Sequence, residues 1–165
     1  MSVEAKQAKQ VIIDEIKAKL DGAQSAVVID YMGTTVAQAD AMRKKLREAN
    51  VDYTVYKNTL IKRAIEGTEF APLADVLDGP SAIAISKEDA TAPARVLKEV
   101  IDEFKKMEFK AGVVEGTFFN QDGIKEIASI PSRDVLIAKF MGSIQSPVSK
   151  AVRTFQAIAD AKAEA

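Results

Sequence analysis

Tyr53-Thr54-Val55-Tyr56-Lys57-Asn58-Thr59-Leu60-Ile61-Lys62-Arg63-Ala64-Ile65 changes character near its midpoint. Tyr53–Tyr56 has the β-branched and aromatic content of a short strand. From Leu60 the apolar residues fall at 60, 61, 64 and 65, one face of a helix over about 59–66. Asn58 or Thr59 supplies an N-cap between the two. A strand that runs into a capped helix N-terminus presents backbone N–H groups and a positive dipole end. Lys57 lies before the cap, and Lys62 and Arg63 follow it. Such a place suits an anion, and a phosphate best.

Working outward, residues 4–20 predict an amphipathic helix with Ala5, Ala8, Ile12, Ile16 and Leu20 on one face, stopped by Asp21-Gly22. Ser25–Ile29 is an apolar run of the buried-strand type. Asp30 to Thr35 is a turn and an N-cap for a helix over 36–49. On that helix Arg43 and Arg47 lie one above the other with Lys44 beside them, and Asp40 is placed to pair with Lys44. Downstream come a short helix over 71–77, a turn at Asp78-Gly79-Pro80, a strand over 82–85 and a helix over 92–106. Residues 109–114 and 116–119 are two closely spaced strands or one bent strand. A small helix over 122–130 is closed by Pro131. Strands alternating with helices through short turns indicate an α+β chain whose N-terminal α/β domain, 1–131, has a small mixed sheet flanked by helices, with the helices on one face.

From Arg133 there is no strand signal. Apolar residues recur at Ile137, Met141, Ile144, Val148, Ala151, Phe155 and Ile158, the alternating spacing of a heptad seam. Gly142 and Pro147 interrupt it, so the tail, 132–165, is expected as two helical pieces over about 133–142 and 147–163. The seam either folds back onto the globular part or is covered by a separate polypeptide, as in helix-in-groove recognition. The boundary at Pro131 and the change of periodicity favour the second.

The chain has 165 residues, no cysteine and no histidine. Thiol chemistry, disulfides, the commonest general base and the commonest metal ligand are thereby removed. No Walker or G-x-G-x-x-G pattern follows a strand. Asp30 and Asp78 sit in turns where bonding to backbone explains them. No catalytic residue, metal or cofactor is therefore assigned. No apolar leader or membrane-spanning run is present, and a cytoplasmic protein is expected. Net charge is −1, yet Arg43 to Arg63 holds seven basic residues against two acidic ones. So uneven a distribution points to nucleic acid. Arg43, Arg47, Lys57, Lys62 and Arg63 flank one strand and are placed to share a surface, with Asn58 and Thr59 as donors to phosphate or ribose. Tyr31, Tyr53 and Tyr56 are candidates for stacking on bases. Tyr53 and Tyr56 point to opposite faces of a strand, so at least one belongs to the core.

These residues carry a resemblance. Asp30-Tyr31-x-Gly33-x-Thr35-Val36, a basic helix, and Val55-x-Lys57-Asn58-Thr59-Leu60-x-x-Arg63-Ala64 resemble the bacterial family of large-subunit ribosomal protein ten, the base of the ribosomal stalk. Gly79-Pro80 and the ending Val152-Arg153-Thr154-Phe155 with an alanine-rich run fit as well. The resemblance covers nearly the whole chain. It implies a scaffold and no enzyme: an N-terminal domain on a junction of large-subunit rRNA beside ribosomal protein eleven, and a C-terminal helix carrying dimers of the stalk protein seven/twelve, here two. Those dimers recruit translation GTPases, and many members also repress their own messenger RNA. By position, Gly33, Thr35, Lys57, Asn58, Thr59 and Arg63 belong to the RNA-facing motif. Ile144, Val148, Ala151, Val152, Phe155, Ile158 and Ala159 belong to the stalk-dimer helix. One departure stands out: where the family usually has a basic residue before the glycine, this chain has Met32. Two rival readings are a nucleotide-using α/β enzyme with the phosphate at 56–59, and an RNA-binding adaptor that self-associates through its tail.

Overall fold

The structure, a computed structural model, describes the backbone of residues 3–163, and the side chains of 7, 9–146, 150 and 153–156. The order is α1 (Val3–Leu20), β1 (Ser25–Asp30), α2 (Val36–Glu48), β2 (Val51–Thr54), α3 (Asn58–Ile65), a 3₁₀ turn (Ala71–Val76), β3 (Ala82–Ser86), α4 (Ala92–Phe104), β4 (Glu108–Val114), β5 (Thr117–Asn120), α5 (Gln121–Ile127) and α6 (Arg133–Ala163). The chain divides into two compact units, Met1–Ile130 and Pro131–Ala165.

In the first unit the strands form one sheet in the order β2-β3-β1-β4-β5, with every neighbouring pair antiparallel. The expected mixed sheet is thus corrected. β1, α2 and β2 do form a β-α-β unit whose two strands run parallel, but β3 inserts between them and splits it. The expectation of helices on one face is corrected too. Ser25–Ile29 is buried along its whole length because both faces are covered. Val27 and Ile29 pack with α2, α4 and α5, while Ala26 and Val28 pack with α1, α3 and the 3₁₀ turn. On the second face Ile13, Ile16 and Leu20 of α1 meet Leu60, Ile61, Ala64 and Ile65 of α3. Each fully buried Leu or Ile among them contributes about 1.5–3 kcal/mol.

Three boundaries move for local reasons. The strand expected over 53–56 spans 51–54, because Val51 is buried and pairs opposite Ser86, and Val55 and Tyr56 leave the sheet. The helix starting at Ala92 ends at Phe104 because Lys105 takes a left-handed conformation. β4 and β5 are two strands of a hairpin joined by Glu115-Gly116, both at positive φ, the two-residue turn that matches strand twist. In β1–β4 pairing Val28 faces Ala111 and Ile29 faces Phe109, so Lys110 is the extra residue of a bulge.

In the second unit α6 is one continuous helix of 31 residues, not two pieces. Gly142 adopts helical backbone without strain, and Pro147 removes one donor from the ladder yet leaves full turns on both sides. Ile137, Met141, Ile144 and Phe155 of the seam are exposed, as are Val135, Leu136 and Phe140. The side chains of Val148, Ala151, Val152, Ile158 and Ala159 lie outside the described residues.

Candidate nucleic-acid interface

One lysine organises the segments that carry the candidate residues. The bulge aims Lys110 at the turn before β3, where its Nζ donates to the carbonyls of Asp78 at 2.5 Å and Pro80 at 2.7 Å and to Ser81 Oγ at 3.0 Å. Asp30 lies 3.8 Å from the same Nζ. The other carboxylate oxygen of Asp30 accepts from Met32 N at 2.9 Å and so forms the turn through Gly33, whose φ is +79°. Thr35 then caps α2 in a reciprocal capping box with Gln38.

Asn58 is not the N-cap. α3 begins at Asn58 itself with Lys57 in the cap position and no side-chain cap. The Asn58 amide instead donates to the Gly79 carbonyl at 2.7 Å, which fastens the start of α3 to the turn that Lys110 holds. Thr59 is exposed and does not cap either. Among the described residues no hydrogen bond takes the backbone N–H groups of Asn58 and Thr59, so the donor end of α3 remains open.

Three adjoining hollows follow from this arrangement. The first, between α1 and α3, is lined by Lys9, Gln10, Ile13, Lys57, Thr59 and Arg63, among others. The second shares Lys57 and Thr59 with it and adds Asn58, Gly79 and Tyr31. The third shares Tyr31 and Val55 with the second and reaches Thr35, Val36, Arg43 and Tyr53. Among the described residues no Asp or Glu lines any of the three. In a chain with 24 acidic residues that is a marked segregation. A further hollow, on the β2 edge, is lined by Glu15, Asp52 and Glu88 beside Lys19 and Lys87.

The basic residues of 43–63 therefore divide. Lys57, Arg63 and Arg43 line the acid-free hollows, and Arg43 makes only a long 3.5 Å contact with Asp40. That contact replaces the expected Asp40–Lys44 pair, an exchange of little energy between exposed side chains. Arg47 is exposed, one turn along α2, and makes no ion pair among the described residues. Lys62 instead lies 3.4 Å from Asp78. Lys45 pairs with Glu103 at 2.7 Å, which raises its pKa, and so ties α2 to α4. Lys106 was missed from sequence: its stem is the nearest side chain to the open side of Gly33, and it makes no ion pair among the described residues. Lys9 was missed as well, because an amphipathic helix gives no reason to single out one lysine.

The tyrosines separate as their spacing requires. Tyr53 packs with the α2/α4 face, and burial pushes its hydroxyl up to about 12 against the opposing pull of Arg43. Tyr56 packs with the α1/α3 face, where its hydroxyl donates to Glu15 at 2.9 Å and Lys19 lies over the ring. Among the described residues no group of three or more potential metal ligands occurs, and no helix is long and apolar enough to cross a membrane.

Comparison with known proteins agrees along the chain. Residues 4–102 match the family model described as ribosomal protein L10, and residues 130–165 match that of the ribosomal protein uL10 C-terminal region. The large ribosomal subunit protein uL10 of Bacillus cereus (strain B4264) is 44% identical over 156 residues, covering 94% of each chain. The protein of the same description from Bacillus anthracis (strain CDC 684 / NRRL 3495) has the same identity and coverage.

Proposed function

We propose a division of labour for this chain, which belongs to the ribosomal protein uL10 family of the large ribosomal subunit and is not an enzyme. The first unit binds large-subunit rRNA at a junction, beside ribosomal protein eleven, through the acid-free surface that runs from Arg63 past Thr59 and Lys57 to Arg43 and Arg47. Lys9 and Lys106 extend it at either end. The observation that carries this reading is that, among the described residues, no carboxylate lines three adjoining hollows of a net-negative chain. Phosphates gather where cations cluster, and fixed turns set the register of the contacts. The second unit carries dimers of the stalk protein seven/twelve, two by the length of the tail, on the apolar side of α6. Its work is scaffolding at the ribosome in the cytoplasm, and repression of its own messenger RNA uses the same RNA surface.

Charge reversal tests the RNA assignment. Lys57→Glu with Arg63→Glu is expected to weaken binding to the rRNA junction, and each lost phosphate contact flattens the salt slope by roughly one unit. Unchanged affinity and slope would remove this surface from the interface. Exposed Ile137, Phe140, Met141 and Ile144 on α6 also suit pairing with a second copy of the chain. Light scattering with and without the stalk protein separates the two, since a homodimer lost on cutting the tail favours self-pairing.

A further inference from the structure

Val36 is 79% exposed and Val55 42%, and both stand at one hollow whose walls include the partly buried rings of Tyr31 and Tyr53. Its volume, about 300 Å3, is at the low end for small-ligand sites. Among the described residues neither tyrosine hydroxyl has a hydrogen-bond partner, whereas that of Tyr56 is taken by Glu15. Arg43 lines the hollow, and Lys57 lies in the next one, which shares Tyr31 and Val55.

We propose that this hollow, between the start of α2 and the end of β2, takes one unstacked nucleobase from a single-stranded RNA segment. A base offers an apolar face to Val36, Val55 and the rings, and a polar edge to the two phenol hydroxyls. The phosphates on either side fall to Arg43 and Lys57. The acid-free lining favours this occupant over a protein surface, which brings cations as readily as anions. Rings and aliphatic side chains tolerate any base, so the pocket sets the position of an unpaired nucleotide more than its identity.

The inference rests on the RNA-binding reading, and its test is built to fail separately. Val36→Gln keeps the charge and touches no core, and Tyr31→Leu removes one ring. In the full chain each is expected to weaken binding of the rRNA junction fragment roughly tenfold, with the salt slope unchanged. Replacing each unpaired nucleotide by an abasic one is expected to find one position with a similar loss, and that loss disappears in the Val36→Gln chain. Wild-type binding with a normal salt slope but no coupled position overturns the base pocket and leaves the RNA reading standing. Failure of the wild-type chain to bind the fragment overturns both. If the variants bind RNA normally but lose a neighbouring ribosomal protein, the hollow is a protein dock and the proposal is wrong.

Discussion

At the scale of single residues, the candidate interface depends on two side chains whose polar groups are taken up inside the protein. Lys110 gathers the Asp78–Ser81 turn, and Asn58 ties α3 to that turn. Lys110→Met keeps the stem and removes three donated bonds. It is expected to cost about 1–3 kcal/mol in urea denaturation and to weaken RNA binding without removing any RNA-facing charge. Tyr53 gives a pH test. Its folded-state pKa lies at about 12, above the ordinary value of 10.0. Below pH 10 both folded and unfolded states keep the proton, and the group leaves stability unchanged with pH. Between 10 and 12 the unfolded chain loses the proton while the folded one retains it, so stability falls as pH rises. Burial also raises the Tyr56 phenol, so absorbance titration should show delayed phenol ionisation, and Tyr53→Phe should reduce its amplitude by one phenol while the Tyr56 part remains.

Elements were more legible than their partners. The 60, 61, 64 and 65 spacing identified the buried face of α3 because helical periodicity is a local signal. Local pattern offers Asn58 or Thr59 as the cap, because the acceptor that Asn58 uses, Gly79, lies 21 residues away. Lys110 was invisible, since a bulge depends on the neighbouring strand and leaves no mark in its own residues. Gly112 is a similar case: a Cβ there would meet Ile124 Cδ1 at 2.8 Å and the Ala26 carbonyl oxygen at 3.1 Å. Gly112→Ala is therefore expected to destabilise the first unit by about 1–3 kcal/mol, read from the urea midpoint. In α6, Pro147 suggested a break that the helix does not make. Pro147→Ala restores a donor for the Ser143 carbonyl and should slow amide hydrogen exchange in the adjacent turns. No change there would mean that the helix is already interrupted at this point in solution.

For the whole molecule, the sequence pattern revealed strands, helices and a change of regime near Pro131, but not the sheet order. Insertion of β3 between β1 and β2 is a long-range choice. It is hinted at only by strands apolar on both faces, which demand helices above and below. The same topology brings the turn after β1, the start of α2, the end of β2 and the start of α3 to one side, where the acid-free hollows lie. The seven basic residues between Arg43 and Arg63 were a fair guide to that side and a poor guide to its members. Lys45 and Lys62 are drawn to Glu103 and Asp78, residues distant in sequence.

In the proposed bridge, the first unit holds RNA and the second holds stalk dimers. The deciding measurement compares the full chain with one ending at Ser132, with the rRNA junction and the stalk protein titrated separately. The shortened chain is expected to fold and to bind RNA with unchanged affinity and salt slope, while stalk-protein binding disappears. A shortened chain that folds but loses RNA affinity, or still captures the stalk dimers, would rule out this division between the two units.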